Sequence, residues 1–414
     1  MRSRTGHFSQ NGDDRQGGAG ARAGRRADKP VGCRWRRHSG GGCVAVAVFE
    51  ASAENGVALL VVGLALGLAL YQATFGFTSA FRVFLSDGQG AGLRAQLIML
   101  AIACTLFFPA LAAGDLLGHP VVGYFAPLNV SLAFGAFLFG MGMQLGGGCA
   151  SGTLFAVGGG SVPMILTLAF FIVGSVIGIG HLPFWTALPG LPAVSLVARF
   201  GWPLALVGNL TAFGLLWLAV AWVERRRHGP LAPIASGGHA LRGPWPLAAG
   251  AVALAVSNFA TLGLAGRPWG ITSAFGLWAG KLLSFADIDV RMWGGWAAPA
   301  QRAALSRPVL ADITSIMDFG IMLGAMLAAG LARHFVLHRA IPVRRAAASI
   351  MGGLLLGYGA RLAYGCNVGA FFSGIASGSL HGWVWFLCAL PGMFVGLKLR
   401  PLFGMTVEHK LTAC

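Results

Sequence analysis

The sequence predicts an all-α polytopic membrane protein. About nine transmembrane helices, with short re-entrant helices, form two inverted, pseudo-symmetric halves. Three observations predict this. The chain is 56% apolar and only 10% charged, whereas an average soluble domain is about a quarter charged. Several windows of roughly 18 or more residues carry almost no charge, enough to cross a ~30 Å hydrocarbon layer. Two short motifs each occur twice, in the same order.

Residues 1–45 are glycine-rich and basic, with ten Arg or Lys against three Asp. They lack an apolar core and a signal-peptide h-region, so they read as a disordered tail. The composition changes abruptly near Val44, as a misassigned translation start would produce. Spans follow at about 57–73, 95–113, 127–143, 162–180 and 203–222, then at 245–264, 312–331, 347–362 and 382–398. The first repeat plus a linking helix occupies 46–225. A loop covers 226–244, the second repeat 245–400, and a tail 401–414. Segments 75–90 and 270–285 are apolar but short, and read as half-helices.

The repeats define the halves. "QLGGGCASGTLF" at 144–155 and "RLAYGCNVGAFF" at 361–372 share Leu, Gly, Cys, Gly and Phe, 217 residues apart. "TFGFTSAF" at 74–81 matches "PWGITSAF" at 268–275 in five of eight positions. The span at 203–222 has no counterpart. Five crossings therefore separate the two copies, which inverts the second.

The net charge of +17 does not indicate nucleic acid. Outside the tail the excess sits mostly in short loops, as Lys and Arg do for membrane orientation. The loops holding Arg225–Arg227 with Arg242, Arg333 with Arg339, Arg344 and Arg345, and Lys398 with Arg400 fall on one side. That side is cytoplasmic if the N-terminus is periplasmic. The seven cysteines are Cys33, Cys43, Cys104, Cys149, Cys366, Cys388 and Cys414. None is spaced as CxxC, which points away from zinc and from a secreted disulfide framework. No cofactor or enzymatic chemistry is expected.

Glycine breaks at membrane depth are tolerated only where backbone lines a cavity or is buried in protein. They also expose helix-start N–H groups that suit an anion. Around Cys149 these are Gly148 and Gly152; around Cys366 they are Gly365 and Gly369. A thiol is soft and polarizable, suited to a substrate bearing sulfur or selenium. Cys104 and Cys388, isolated in apolar runs, read as packing. The pairs Thr78–Ser79 and Thr272–Ser273 could cap half-helices or offer hydroxyls to an oxyanion. Arg361, at the position equivalent to Gln144, could face an anionic substrate or snorkel. Asn367 could bind a ligand or cap the last span. The pair Gly174–Gly178 reads as helix packing. Asp287 and Asp289 fall in an outer loop.

"GMGMQLGGGCASGTLFAVGGGS" and "GYGARLAYGCNVGAFFSGIASGSLHGW" resemble the signature motifs of the YeeE/YedE family of bacterial sulfur-transport membrane proteins. The resemblance covers roughly 57–400. It implies an inner-membrane permease for thiosulfate or a similar small sulfur anion, whose motif cysteines, here Cys149 and Cys366, contact the anion along its path. It also implies a third cysteine near the entrance, for which Cys104 is the remaining first-half candidate, and a small cytoplasmic sulfur-carrier partner of the TusA type. Selenium-compound transport is the alternative; a thiol oxidoreductase or sulfurtransferase would need a resolving thiol or base. A dianion moved inward against 100 mV costs roughly 4.6 kcal/mol. Co-transported protons or rapid consumption inside must offset that.

Overall fold

The computed structural model describes residues 55–239, 242–296, 299–333, 335 and 341–406. The tail expected at 1–45 lies outside the described residues. Twelve helices carry the architecture: α1 (Gly56–Gln72), α2 (Phe77–Asp87), α3 (Ala91–Ala113), α4 (Val130–Gly146), α5 (Ala150–Gly158), α6 (Val162–Thr186), α7 (Trp202–His228), α8 (Leu247–Ala265), α9 (Thr272–Phe285), α10 (Ile313–Leu331), α11 (Val343–Leu362) and α12 (Leu380–Leu399). A π-helical turn, Asn367–Ser373, lies between α11 and α12. Strand content among the described residues is two short antiparallel pairs, Asp115–Leu116 with His119–Pro120 and Leu128–Asn129 with Gly190–Leu191.

The nine expected spans correspond to α1, α3, α4, α6, α7, α8, α10, α11 and α12; the two expected half-helices are α2 and α9. Among the described residues, eight helical segments are long and apolar enough to cross a bilayer. A ninth, Val343–Leu362, qualifies together with Asn367–Ala376, to which it is joined at 41°. Several helices overrun the expected limits. α11 begins at Val343 and takes in Arg344 and Arg345, because an α-helix can continue into water after its apolar stretch ends.

The halves are inverted, and packing shows it. Gln72 at the end of α1 accepts a bond from Trp245 N just before α8. Asn55, before α1, donates to Leu264 near the end of α8. The equivalent helices α1 and α8 therefore run antiparallel. So do α4 and α11, where Gly135 meets Gly359 and Gly142 meets Gly352.

Each half also exchanges partners with the other. α1 packs on α10 and α8 on α3; α4 packs on α12 and α11 on α6, while α4 and α11 meet at the centre. Without a hydrophobic force between helices in lipid, such seams depend on small residues that let backbones approach. A Cβ on Gly67 would fall 2.1 Å from the Ile321 carbonyl oxygen, and one on Gly324 2.1 Å from that of Leu64. The expected packing pair behaves likewise: Gly174 abuts the Leu354 backbone, and Gly178 abuts Arg361.

The unpaired helix α7 lies against α3. A buried ion pair joins them, Arg94 Nη2 to Glu224 Oε2 at 3.0 Å. The same groups bond Ala232 O and N at 2.6 and 3.0 Å. Removing one partner of a buried pair strands the other charge. We therefore expect Glu224→Ala to cost about 3–5 kcal/mol, read as a lower melting temperature of the detergent-solubilised protein.

Candidate functional site

Both cysteines sit where a helix is broken by glycine. α4 ends at Gly146; Gly147 then takes φ +85°, a conformation that favours glycine. Gly148 follows, and Cys149 starts α5. The Cys149 thiol acts as the N-cap, its Sγ accepting from Gly152 N at 3.5 Å and lying 3.3 Å from Ser151 Oγ. In the second copy Tyr364 takes φ +59° and Gly365 +150°. Cys366 then opens the π-helical turn instead of an α-helix. Its carbonyl accepts from Ala370 N at 2.8 Å and Phe371 N at 3.3 Å. Short π-helical insertions occur frequently at functional sites.

The thiols are each 1% exposed and belong to one buried cluster. They lie within electrostatic reach of each other. Both thiols are sealed from the surface, and Phe139, Phe171 and Trp385 belong to the same buried cluster, packed edge-on or tilted against one another.

Some buried polar atoms within the two cysteine motifs have no hydrogen-bond partner among the described residues. They include both amide atoms of Gln144 and of Asn367. Thr78 faces Cys149, and Asn367 adjoins Cys366 in sequence. Buried polar groups are nearly always bonded, so these amides call for a ligand or water to complete them. Their donors, with the soft thiols, suit an anion that carries sulfur.

The other expected site residues fall into place around these. Ser79 donates to the Gly76 carbonyl at 3.1 Å, and Ser273 lies 3.0 Å from Thr314 Oγ1. Neither Thr-Ser pair caps its half-helix. The caps are Gly76 and Ile271, because each pair falls inside the first turn and not before it. Asn367 likewise does not cap the last span; that position belongs to Ser379. Arg361 is half-buried and donates to the Thr272 carbonyl, tying α11 to α9. Cys104 is fully buried, its thiol 3.6 Å from the Ile375 carbonyl, so it packs under the second elbow. Asp287 and Asp289 are exposed.

The two ends differ. At the end bearing Arg94 and Arg225–Arg227, a cavity of about 140 Å³ is lined by Arg82, Arg345, Arg400, Gly146 and Gly147. Its lining includes Gly147, two residues before Cys149 in sequence. At the opposite end the second elbow is covered: Tyr124 donates to the Tyr364 carbonyl, and Asn129 Nδ2 to Tyr364 Oη at 2.7 Å. Three features went unread in the sequence: the burial of Arg82 and Arg400, the covering Tyr124, and Asp318 in α10. For Asp318 the signal was present, as the one charged residue in the run 313–331.

The Sulphur transport family matches residues 72–395. The chain belongs to that family. A thiosulfate transporter TsuA from Spirochaeta thermophila is 28% identical over 348 residues, covering 78% of this chain and 93% of that protein. The TsuA of Escherichia coli is 25% identical, covering 81% and 92%. A probable transporter YedE of Salmonella typhimurium is 31% identical over 166 residues, 40% of each chain; the match thus spans less than half of that relative's length. The family's description is sulfur transport, and the described helices are long and apolar enough for multiple membrane passes.

Proposed function

We infer that the chain takes up thiosulfate, or a closely similar sulfur anion, across the bacterial inner membrane, along a path between the two glycine-cysteine elbows. One observation carries this reading: Cys149, with Thr78 against it, and Cys366, with the unpartnered Asn367 beside it, are both buried, and the buried Gln144 amide on the first motif is also unpartnered. The terminal sulfur of thiosulfate is a soft acceptor for S–H. Its three oxygens accept from amides, hydroxyls and helix-start N–H groups. The anion passes from Cys366 to Cys149 by exchange of hydrogen bonds, with no lasting covalent bond. Gly148, Gly152, Gly365 and Gly369 let backbone N–H groups approach it. Thr272, Ser273 and Arg361 guide it at the covered end. The closed packing is an occluded state; passage requires the aromatic side chains to move.

The cavity lined by Arg82, Arg345 and Arg400 is the exit. Its positive field attracts an anion and faces the cytoplasm, in keeping with the excess of basic residues at that end. The N-terminus is then periplasmic and the C-terminus cytoplasmic. A sulfur carrier of the TusA type would collect the product there.

The test is uptake of radiolabelled thiosulfate into proteoliposomes holding the purified chain alone. Saturable uptake, competed by unlabelled thiosulfate more strongly than by selenite, is expected. Empty-liposome rates would end the reading, and stronger competition by selenite would turn it to selenium compounds.

A further inference from the structure

We propose that Asp318 is the proton-exchanging group that couples anion passage to proton entry. The proposal rests on reading the chain as a thiosulfate permease and adds its driving force. Asp318 sits on the second turn of α10, 0% exposed, and neither carboxyl oxygen has a hydrogen-bond partner among the described residues. A buried carboxylate without partner or proton is costly, and ionisable groups inside a membrane mark ion and proton routes.

Its surroundings supply a route. Asp312 Oδ2 accepts from Ser315 N and Ser315 Oγ, each at 2.8 Å. Ser315 lies one helical turn before Asp318, on the same face. From Asp318 the next group within electrostatic reach is the Cys366 thiol. A line of exchangeable groups thus runs from Asp312, at the covered end, through Ser315 to Asp318 and the anion's path. The titratable groups facing it are few. Asp312 and Cys366 reach Asp318 directly. α9 brings Lys281, which senses Asp312, and Arg267, before α9, donates to Thr314 at 3.2 Å. α1 offers only Tyr71, and α5 has no titratable side chain.

The step balances as proton transfer alone. The Asp318 carboxyl takes a proton from the covered end while the anion is at Cys366. It releases that proton toward the Arg-lined cavity as the anion leaves. Each proton carried inward cancels one negative charge of the dianion.

The test compares the wild-type chain with Asp318→Asn and Asp318→Glu in proteoliposomes. It measures thiosulfate accumulation with and without an inward acid gradient, and exchange of labelled for unlabelled thiosulfate at equilibrium. For the wild type, a one-unit gradient should raise accumulation about ten-fold per proton carried, and a protonophore should remove the rise. Asp318→Asn should lose the rise yet keep exchange, and Asp318→Glu should recover part of it. Should Asp318→Asn fail to fold, a pH dye trapped with the wild type still decides: thiosulfate added outside must acidify the lumen. A gradient response retained by Asp318→Asn overturns the proposal. So does a wild type driven by sodium, or one indifferent to pH, although uptake itself would then stand. A wild type that takes up no thiosulfate overturns the function and the coupling together.

Discussion

Cells that depend on this chain for thiosulfate should stop growing on it when both Cys149 and Cys366 are replaced by alanine. Each replacement alone should slow uptake about ten- to a hundred-fold. Those figures follow from hydrogen bonds to a charged ligand, each contributing about 1.5–3 kcal/mol, at about 1.4 kcal/mol per factor of ten. The fold should survive, since each side chain is a small buried group and alanine removes only its sulfur. Serine separates two roles. At Cys149 the thiol caps α5, and serine is a preferred cap. Cys149→Ser should therefore keep or raise stability while lowering uptake, because a hydroxyl lacks the polarizable sulfur. Uptake at the wild-type rate in the double alanine variant would remove the thiols from the mechanism.

Gly352→Val should prevent accumulation of folded protein. A Cβ at Gly352 would lie 2.1 Å from Gly146 N and 2.5 Å from Gly146 Cα. Both neighbours are backbone, so no side chain can turn aside. The seam between α4 and α11 would have to open at the very place where the first elbow begins. Overpacking typically costs about 1–3 kcal/mol where side chains can yield, and a backbone clash lies at or beyond that range. The control is on α7: Gly208 and Gly214 have nothing within 4 Å of such an atom. Gly208→Ala and Gly214→Ala should leave the size-exclusion profile unchanged. An intact monodisperse peak for Gly352→Val would show that the seam is looser than its geometry.

Much of the architecture was legible in the sequence for a physical reason. Lipid forces backbone bonds inside each span, so uninterrupted apolar runs declare helices. The duplicated words around Cys149 and Cys366 declared the halves, and the uneven span at 203–222 declared their inversion. The partner exchange between α1 and α10, or α4 and α12, was not legible, because any small-residue helix face can dock on any other. Nor was the difference between the elbows. Both motifs read alike, yet Cys149 starts an α-helix and Cys366 a π-helical turn. The Thr-Ser pairs looked like caps because composition does not fix a cap's position to within one residue. Asp318 was legible as the one charged residue in the apolar run 313–331.

The exchange of partners has a consequence for how the chain is made. Neither half owns a core: α1 waits for α10, α4 for α12, and α6 for α11. During synthesis α1, α4 and α6 enter the bilayer before α10, α12 and α11, their main neighbours, have been made. They must remain there, loosely associated, until the second half emerges and threads among them. A ribosome stalled after α7 would leave a set of inserted helices and not half a transporter.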